Sequence, residues 1–90
     1  VKWAVAQGIA DPARVVISGA SYGGYATMAG LTFTPELYCA GINYVGVIDI
    51  PNLIPKAVAA RRLYWFHTRI GDLGDAADRK RLHDTSPVNF

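Results

Sequence analysis

The sequence predicts an α/β fold built on a parallel sheet, in the order strand, tight turn, helix, strand, and three observations carry that reading. Arg14-Val15-Val16-Ile17-Ser18 is a short apolar, β-branched run without alternation, as expected of a strand covered on both faces. Gly19-Ala20-Ser21-Tyr22-Gly23 follows at once and fits Gly-x-Ser-x-Gly, a sharp strand-to-helix turn. A helical pattern then separates it from a second apolar run, Ala40 to Val47, and strands joined through a helix run parallel.

The elements follow in order along the chain. Val1, Ala4 and Val5 share a helical face, and Gly8 stands where a helix ends in a left-handed cap. Asp11-Pro12 makes a turn into the first strand, which is expected to stop at Gly19. YGGYATMAGLTF predicts a helix from Tyr22 to about Phe33, with small residues where another element must approach closely. Thr34-Pro35-Glu36 breaks it ahead of the second strand. Asp49 to Asn52 reads as a loop, about Ala57 to Ile70 as a helix carrying Leu63, Trp65 and Phe66, and Asp75 to Leu82 as a short polar helix ended by Ser86-Pro87. No repeat or linker-like segment appears, so residues 1–90 are read as one partial domain. The chain opens on VKWAVAQG, without Met and reading as the last turns of a helix already under way, which predicts an internal piece of a longer protein. Two parallel strands need sheet partners and helices on both faces, so the 90 residues alone are expected to be poorly stable. A cooperative thermal transition would contradict that.

Composition narrows the function. With 51% hydrophobic and 18% charged residues the chain is globular rather than disordered. Two basic and three acidic residues in Val1–Pro55, against seven and four in Lys56–Phe90, are too mild an imbalance for a nucleic-acid or acidic-membrane partner. The apolar stretch Tyr38 to Ala60 is interrupted by Asn43, Asp49, Pro51, Asn52 and Pro55, which excludes it as a membrane span. A single cysteine, Cys39, allows neither an internal disulfide nor a paired-cysteine metal site, and it reads as a small buried hydrophobe; the compartment stays open. Arg79-Lys80-Arg81 reads as a solvated helix face, and Tyr64-Trp65-Phe66 as core packing.

The chemistry concentrates at Ser21. In a nucleophile elbow the serine takes a strained conformation, usually with positive φ, so that its hydroxyl stands clear of the sheet edge. Side chains two residues before or after would collide in so sharp a turn, so Gly19 and Gly23 are expected to relieve it. The following helix aims free backbone N–H groups at the same point, which makes the N–H of Tyr22 an oxyanion donor. Random occurrence of the motif in a chain of this composition is about 3% before strand and helix are required in order. The bland alternative is a glycine-rich turn in which Ser21 is an ordinary helix N-cap.

Gly19-Ala20-Ser21-Tyr22-Gly23-Gly24-Tyr25 resembles the active-serine segment of the prolyl oligopeptidase family of serine peptidases. Asp11-Pro12-Ala13-Arg14-Val15 resembles the lead-in to that strand, Gly46-Val47-Ile48-Asp49 the end of the next, and Thr85-Ser86-Pro87-Val88-Asn89-Phe90 the segment before the strand after that. The resemblance implies an α/β-hydrolase catalytic domain, usually behind an N-terminal β-propeller, acting on short peptides. It also implies that the triad's acid and histidine follow strands beyond Phe90, and it places Val47 and Ile50 near the pocket for the residue preceding the scissile bond.

Within the chain, Asp49, His67 and His83 permit a triad in the order this fold uses, serine, acid, histidine. Their contexts favour plainer uses: Asp49 as a loop residue bonding backbone, His67 packed at a helix surface, His83 in a polar helix end. The expectation is a serine peptidase acting through Ser21, with Tyr22 as oxyanion donor, needing no metal or organic cofactor. A hydrolase-fold binding module without catalysis, and an esterase or lipase of the same fold, are the alternatives.

Overall fold

A computed structural model describes residues 1–57 and 60–90, with the backbone alone for 55–57 and 60–63. The chain divides into two compact units, Val1–Val47 and Ile48–Phe90.

In the first unit, α1 (Lys2–Ala6) ends as its glycine predicts. Gly8 has φ +71°, and the N–H groups of Gly8 and Ile9 return to the carbonyls of Val5 and Ala4 at 3.0 and 2.9 Å, a two-bond cap that satisfies the helix's last carbonyls. Asp11 accepts the N–H of Ala13 at 2.9 Å and starts a 3₁₀ turn, Pro12–Arg14. The strands are β1 (Val16–Ala20) and β2 (Ala40–Tyr44), paired in parallel from Val16 opposite Ala40 to Ala20 opposite Tyr44. Between them runs α2 (Tyr22–Phe33), with the bounds its pattern predicts.

Both strand boundaries differ from the sequence reading. β1 does not stop at Gly19, because Gly19 and Ala20 still pair with Asn43 and Tyr44; β2 ends at Tyr44 rather than Val47, because Val45 turns into the left-handed region at φ +46°. Coverage on both faces is also corrected. β1 alternates, with Ile17 half-buried under α2 and Val16 52% exposed on the other side, and every residue of β2 is exposed. Cys39, just before β2, is exposed for the same reason, not buried. Three of the twelve residues of α2 are glycine, each costing about 1 kcal/mol in a helix, so α2 owes its stability to packing on the sheet. Thr27, fully buried, donates to the Gly23 carbonyl at 2.9 Å.

The second unit contains α3 (Ile50–Ala57), α4 (Ala60–Arg69), α5 (Ala76–Asp84) and a 3₁₀ turn at Pro87–Asn89. The expected loop Asp49–Asn52 is the start of α3: Asp49 accepts the Asn52 N–H at 3.0 Å, and proline is tolerated in a first turn that needs no donor there. Among the described residues the apolar core here is Ile54 and Leu82, each 1% exposed. Ser86, also buried, accepts the Ile50 N–H at 3.0 Å and donates to the Leu82 carbonyl at 2.7 Å, tying the start of α3 to the end of α5. Asp75 caps α5 by accepting from Asp78 N–H at 2.9 Å. Arg81 donates to the Ile70 carbonyl at 2.7 Å and to Asp78 at 2.9 Å, fastening the turn between α4 and α5. Arg79 likewise donates to the Leu73 carbonyl at 2.8 Å, so the basic run is a solvated face of which two residues also close this turn. Core packing of Tyr64-Trp65-Phe66 is corrected: Tyr64 and Trp65 are exposed, Phe66 meets Trp65 edge-on at 5.3 Å, and Arg69 stacks over the Trp65 ring. The side chain of Leu63 lies outside the described residues, as do residues 58–59 of the helix expected from Ala57. No helix among the described residues is long and apolar enough to cross a membrane.

Candidate active site

Ser21 occupies the single residue between β1 and α2. Its N–H continues the strand ladder by donating to the Tyr44 carbonyl at 3.1 Å, while its own carbonyl accepts the Tyr25 N–H at 3.2 Å as the first bond of α2. To serve both elements at once the residue takes φ +54° and ψ −117°, a region that type II′ turns reserve for glycine. For a residue with a side chain that conformation costs about 1–3 kcal/mol and persists only where its surroundings impose it. The Ser21 side chain makes no capping hydrogen bond to α2, so the ordinary N-cap alternative does not describe it. It is exposed, and so is Tyr22, at 72%. The N–H groups of Tyr22, Gly23 and Gly24 precede the first helical bond and have no helical carbonyl to meet. Tyr22 and Tyr25 stack obliquely, ring centres 5.5 Å apart.

The glycines divide the work differently from the sequence expectation. A Cβ on Gly19 would overlap the Gly23 carbonyl group and stand 2.9 Å from Gly23 Cα, so Gly19 is required. A Cβ on Gly23 meets nothing within 4 Å, which corrects its expected role. The second obligatory glycine is Gly24: a Cβ there would run into Gly46, 2.8 Å from its nitrogen, because the first turn of α2 lies backbone to backbone against the chain leaving β2. Glycine at both Gly24 and Gly46 was visible in the sequence, but their contact was not.

Asp49, His67 and His83 belong to the second unit, each with a local partner. The Asp49 carboxylate caps α3, receiving Asn52 through backbone N–H at 3.0 Å and side-chain amide at 3.3 Å. His67 Nε2 lies 3.6 Å from Asp72, and His83 Nδ1 lies 3.2 Å from Asp84. Asp49 and His83 share the walls of one open depression with Pro51, Asn52 and Asn89. Lys80, and after it His83, hold the Asp84 carboxyl below its ordinary value by hydrogen bonding. The Asp72 N–H and then Arg81 do the same for Asp78. Among the described residues no group of three or more His, Cys, Asp or Glu side chains is placed to hold a metal ion.

A parallel strand–helix–strand unit with a strained serine at its crossover is an α/β-hydrolase arrangement. The family model for the prolyl oligopeptidase family matches residues 1–89, and the chain belongs to that family. It is 38% identical over 94 residues to dipeptidyl aminopeptidase BIII of Pseudoxanthomonas mexicana, covering 98% of this chain and 13% of that protein. It is 37% identical over 97 residues to dipeptidyl peptidase family member 6 of Caenorhabditis elegans, covering 100% of this chain and 13% of the relative. With the acylamino-acid-releasing enzyme of Arabidopsis thaliana it shares 28% identity over 98 residues, 99% of this chain and 12% of that one. The chain thus spans about an eighth of the length of the curated relatives it matches. No solved structure matches it significantly.

Proposed function

We propose that the full-length protein is a serine peptidase that hydrolyses short peptides by acyl transfer through Ser21. The observation that carries this reading is a serine held at φ +54° with no capping bond for its side chain, a strain that a use for the freed hydroxyl explains. A non-catalytic module would relax it, and the family favours peptide over lipid ester substrates. The Ser21 oxygen adds to the scissile carbonyl carbon and gives its proton to a histidine, which passes it to the departing amine; water then cleaves the acyl-enzyme. The Tyr22 N–H donates to the oxyanion formed in each half. The histidine and its orienting acid lie on loops after strands beyond Phe90, and an N-terminal β-propeller belongs to the same protein. The reaction uses side chains, a backbone N–H and water, without a metal or organic cofactor.

Two relatives carry dipeptidyl peptidase names, which makes dipeptidyl amides with a chromogenic leaving group the first substrates to try. Ser21→Ala in the full-length protein lowers kcat/KM by about 10³-fold or more while the fold is retained. Undiminished hydrolysis by that variant would end the proposal.

A further inference from the structure

Behind the elbow, the chain leaving β2 makes a turn as strained as the elbow itself. Val45 has φ +46°, and for a β-branched residue the left-handed region is a true outlier. It is 76% exposed, so packing of its own side chain does not hold it there. Asn43 supplies what packing does not: its Oδ1 accepts the Gly46 N–H at 2.9 Å, closing the turn across Val45. That turn touches Ser21 in two ways. Tyr44, one residue before Val45, offers its carbonyl to the Ser21 N–H at 3.1 Å; Gly46, one residue after, lies backbone to backbone against Gly24.

We infer that Asn43 is a positioning residue for Ser21. By holding Val45 left-handed it presses Gly46 against Gly24 and presents the Tyr44 carbonyl to the Ser21 N–H, so the strain at Val45 helps impose the strain at Ser21. Asn43 does not touch substrate. The inference rests on the proposed nucleophilic role of Ser21. A Gly46 freed from Asn43 lets Val45 relax toward negative φ, and the first turn of α2, with the Tyr22 N–H, shifts with it. A misplacement on the order of 1 Å costs about 10²-fold in rate, and a partial relaxation about tenfold.

The test uses the full-length protein with two readouts, the rate at which a fluorophosphonate labels Ser21, and kcat and KM for a chromogenic dipeptidyl amide. Asn43→Ala lowers the labelling rate and kcat together by about tenfold, with KM changed less than about twofold. Asn43→Asp, which keeps an acceptor oxygen at the same reach, stays within about twofold of the parent. In a Val45→Gly background the turn is no longer strained, and adding Asn43→Ala costs less than about twofold. That background also decides the matter if Asn43→Ala alone does not fold. A tenfold loss persisting with Val45→Gly, or Asn43→Ala matching the parent in both readouts, overturns the inference. Absence of labelling in the parent, with Ser21→Ala still active, fails the proposed function instead, and is recognised separately.

Discussion

Changing the elbow's glycines to alanine one at a time gives results that depart from the motif's own rule. Gly-x-Ser-x-Gly marks Gly19 and Gly23 as the pair to keep, whereas the backbone geometry marks Gly19 and Gly24. A methyl on Gly19 lands on the Gly23 carbonyl group, and one on Gly24 lands on the Gly46 backbone and the Asn43 side-chain oxygen; in both cases the nearest obstacle is main chain, which cannot rotate aside as a side chain would. Restoring ordinary contact from 2.9 or 2.8 Å, and from the closer overlaps, needs a shift on the order of 1 Å in the segment that carries Ser21. Overpacking of that kind costs about 1–3 kcal/mol of stability, and the displacement about 10²-fold in kcat. Gly23→Ala, by contrast, puts its methyl in open space on the first turn of a helix. It is expected to raise stability by about 0.5–1 kcal/mol through the unfolded chain's lost freedom, leaving kcat within about twofold. The assays are denaturant unfolding and hydrolysis of a dipeptidyl amide by the three full-length variants. Gly23→Ala as damaging as Gly19→Ala, or Gly24→Ala as harmless as the expected Gly23→Ala, would refute the reasoning.

Two further expectations concern the second unit. Ser86→Ala leaves the Ile50 N–H without its acceptor beside a buried core, a loss of about 1–3 kcal/mol, and faster amide exchange at Ile50 than at the cap of α5 reports it; unchanged exchange at Ile50 contradicts the assignment. Asp78 and Asp84 are held below the ordinary aspartate value of 3.8, so their contribution to the second unit is fully present above that value and is lost as pH falls through the lower folded values. Exchange of the Asp72 amide, which donates to Asp78, is therefore expected to stay protected from neutral pH to about pH 4 and to lose protection only below it, whereas loss of protection between about pH 5 and 7 would be inconsistent with that assignment.

The strand, elbow, helix and second strand were legible because each is written in local terms. β-branched apolar runs, a glycine-flanked serine and helical spacing need no knowledge of distant residues, and α2 begins and ends where its pattern says. What stayed hidden depends on contact between segments far apart in sequence. Gly24 is obligatory because Gly46 and the Asn43 side chain come to rest on it, and Asn43 closes the turn in which Val45 goes left-handed. Asp49 to Asn52 misled in the other direction: read as a loop, it opens α3, with Pro51 in the first turn, where a missing N–H costs nothing. Cys39 and the Tyr64-Trp65-Phe66 cluster were read inward on composition, and hydrophobicity alone does not say which face of an element is covered.

The bond from Ser21 to Tyr44 also sets an order of assembly. During synthesis the serine, its glycines and the whole of α2 leave the ribosome well before Tyr44 and Gly46, and a helix with three glycines has little inclination to form by itself. Until β2 arrives nothing holds Ser21 at positive φ, and the nascent segment relaxes to an ordinary backbone with an ordinary alcohol. The strained elbow geometry is thus a product of completed tertiary structure, and a half-made chain does not carry it.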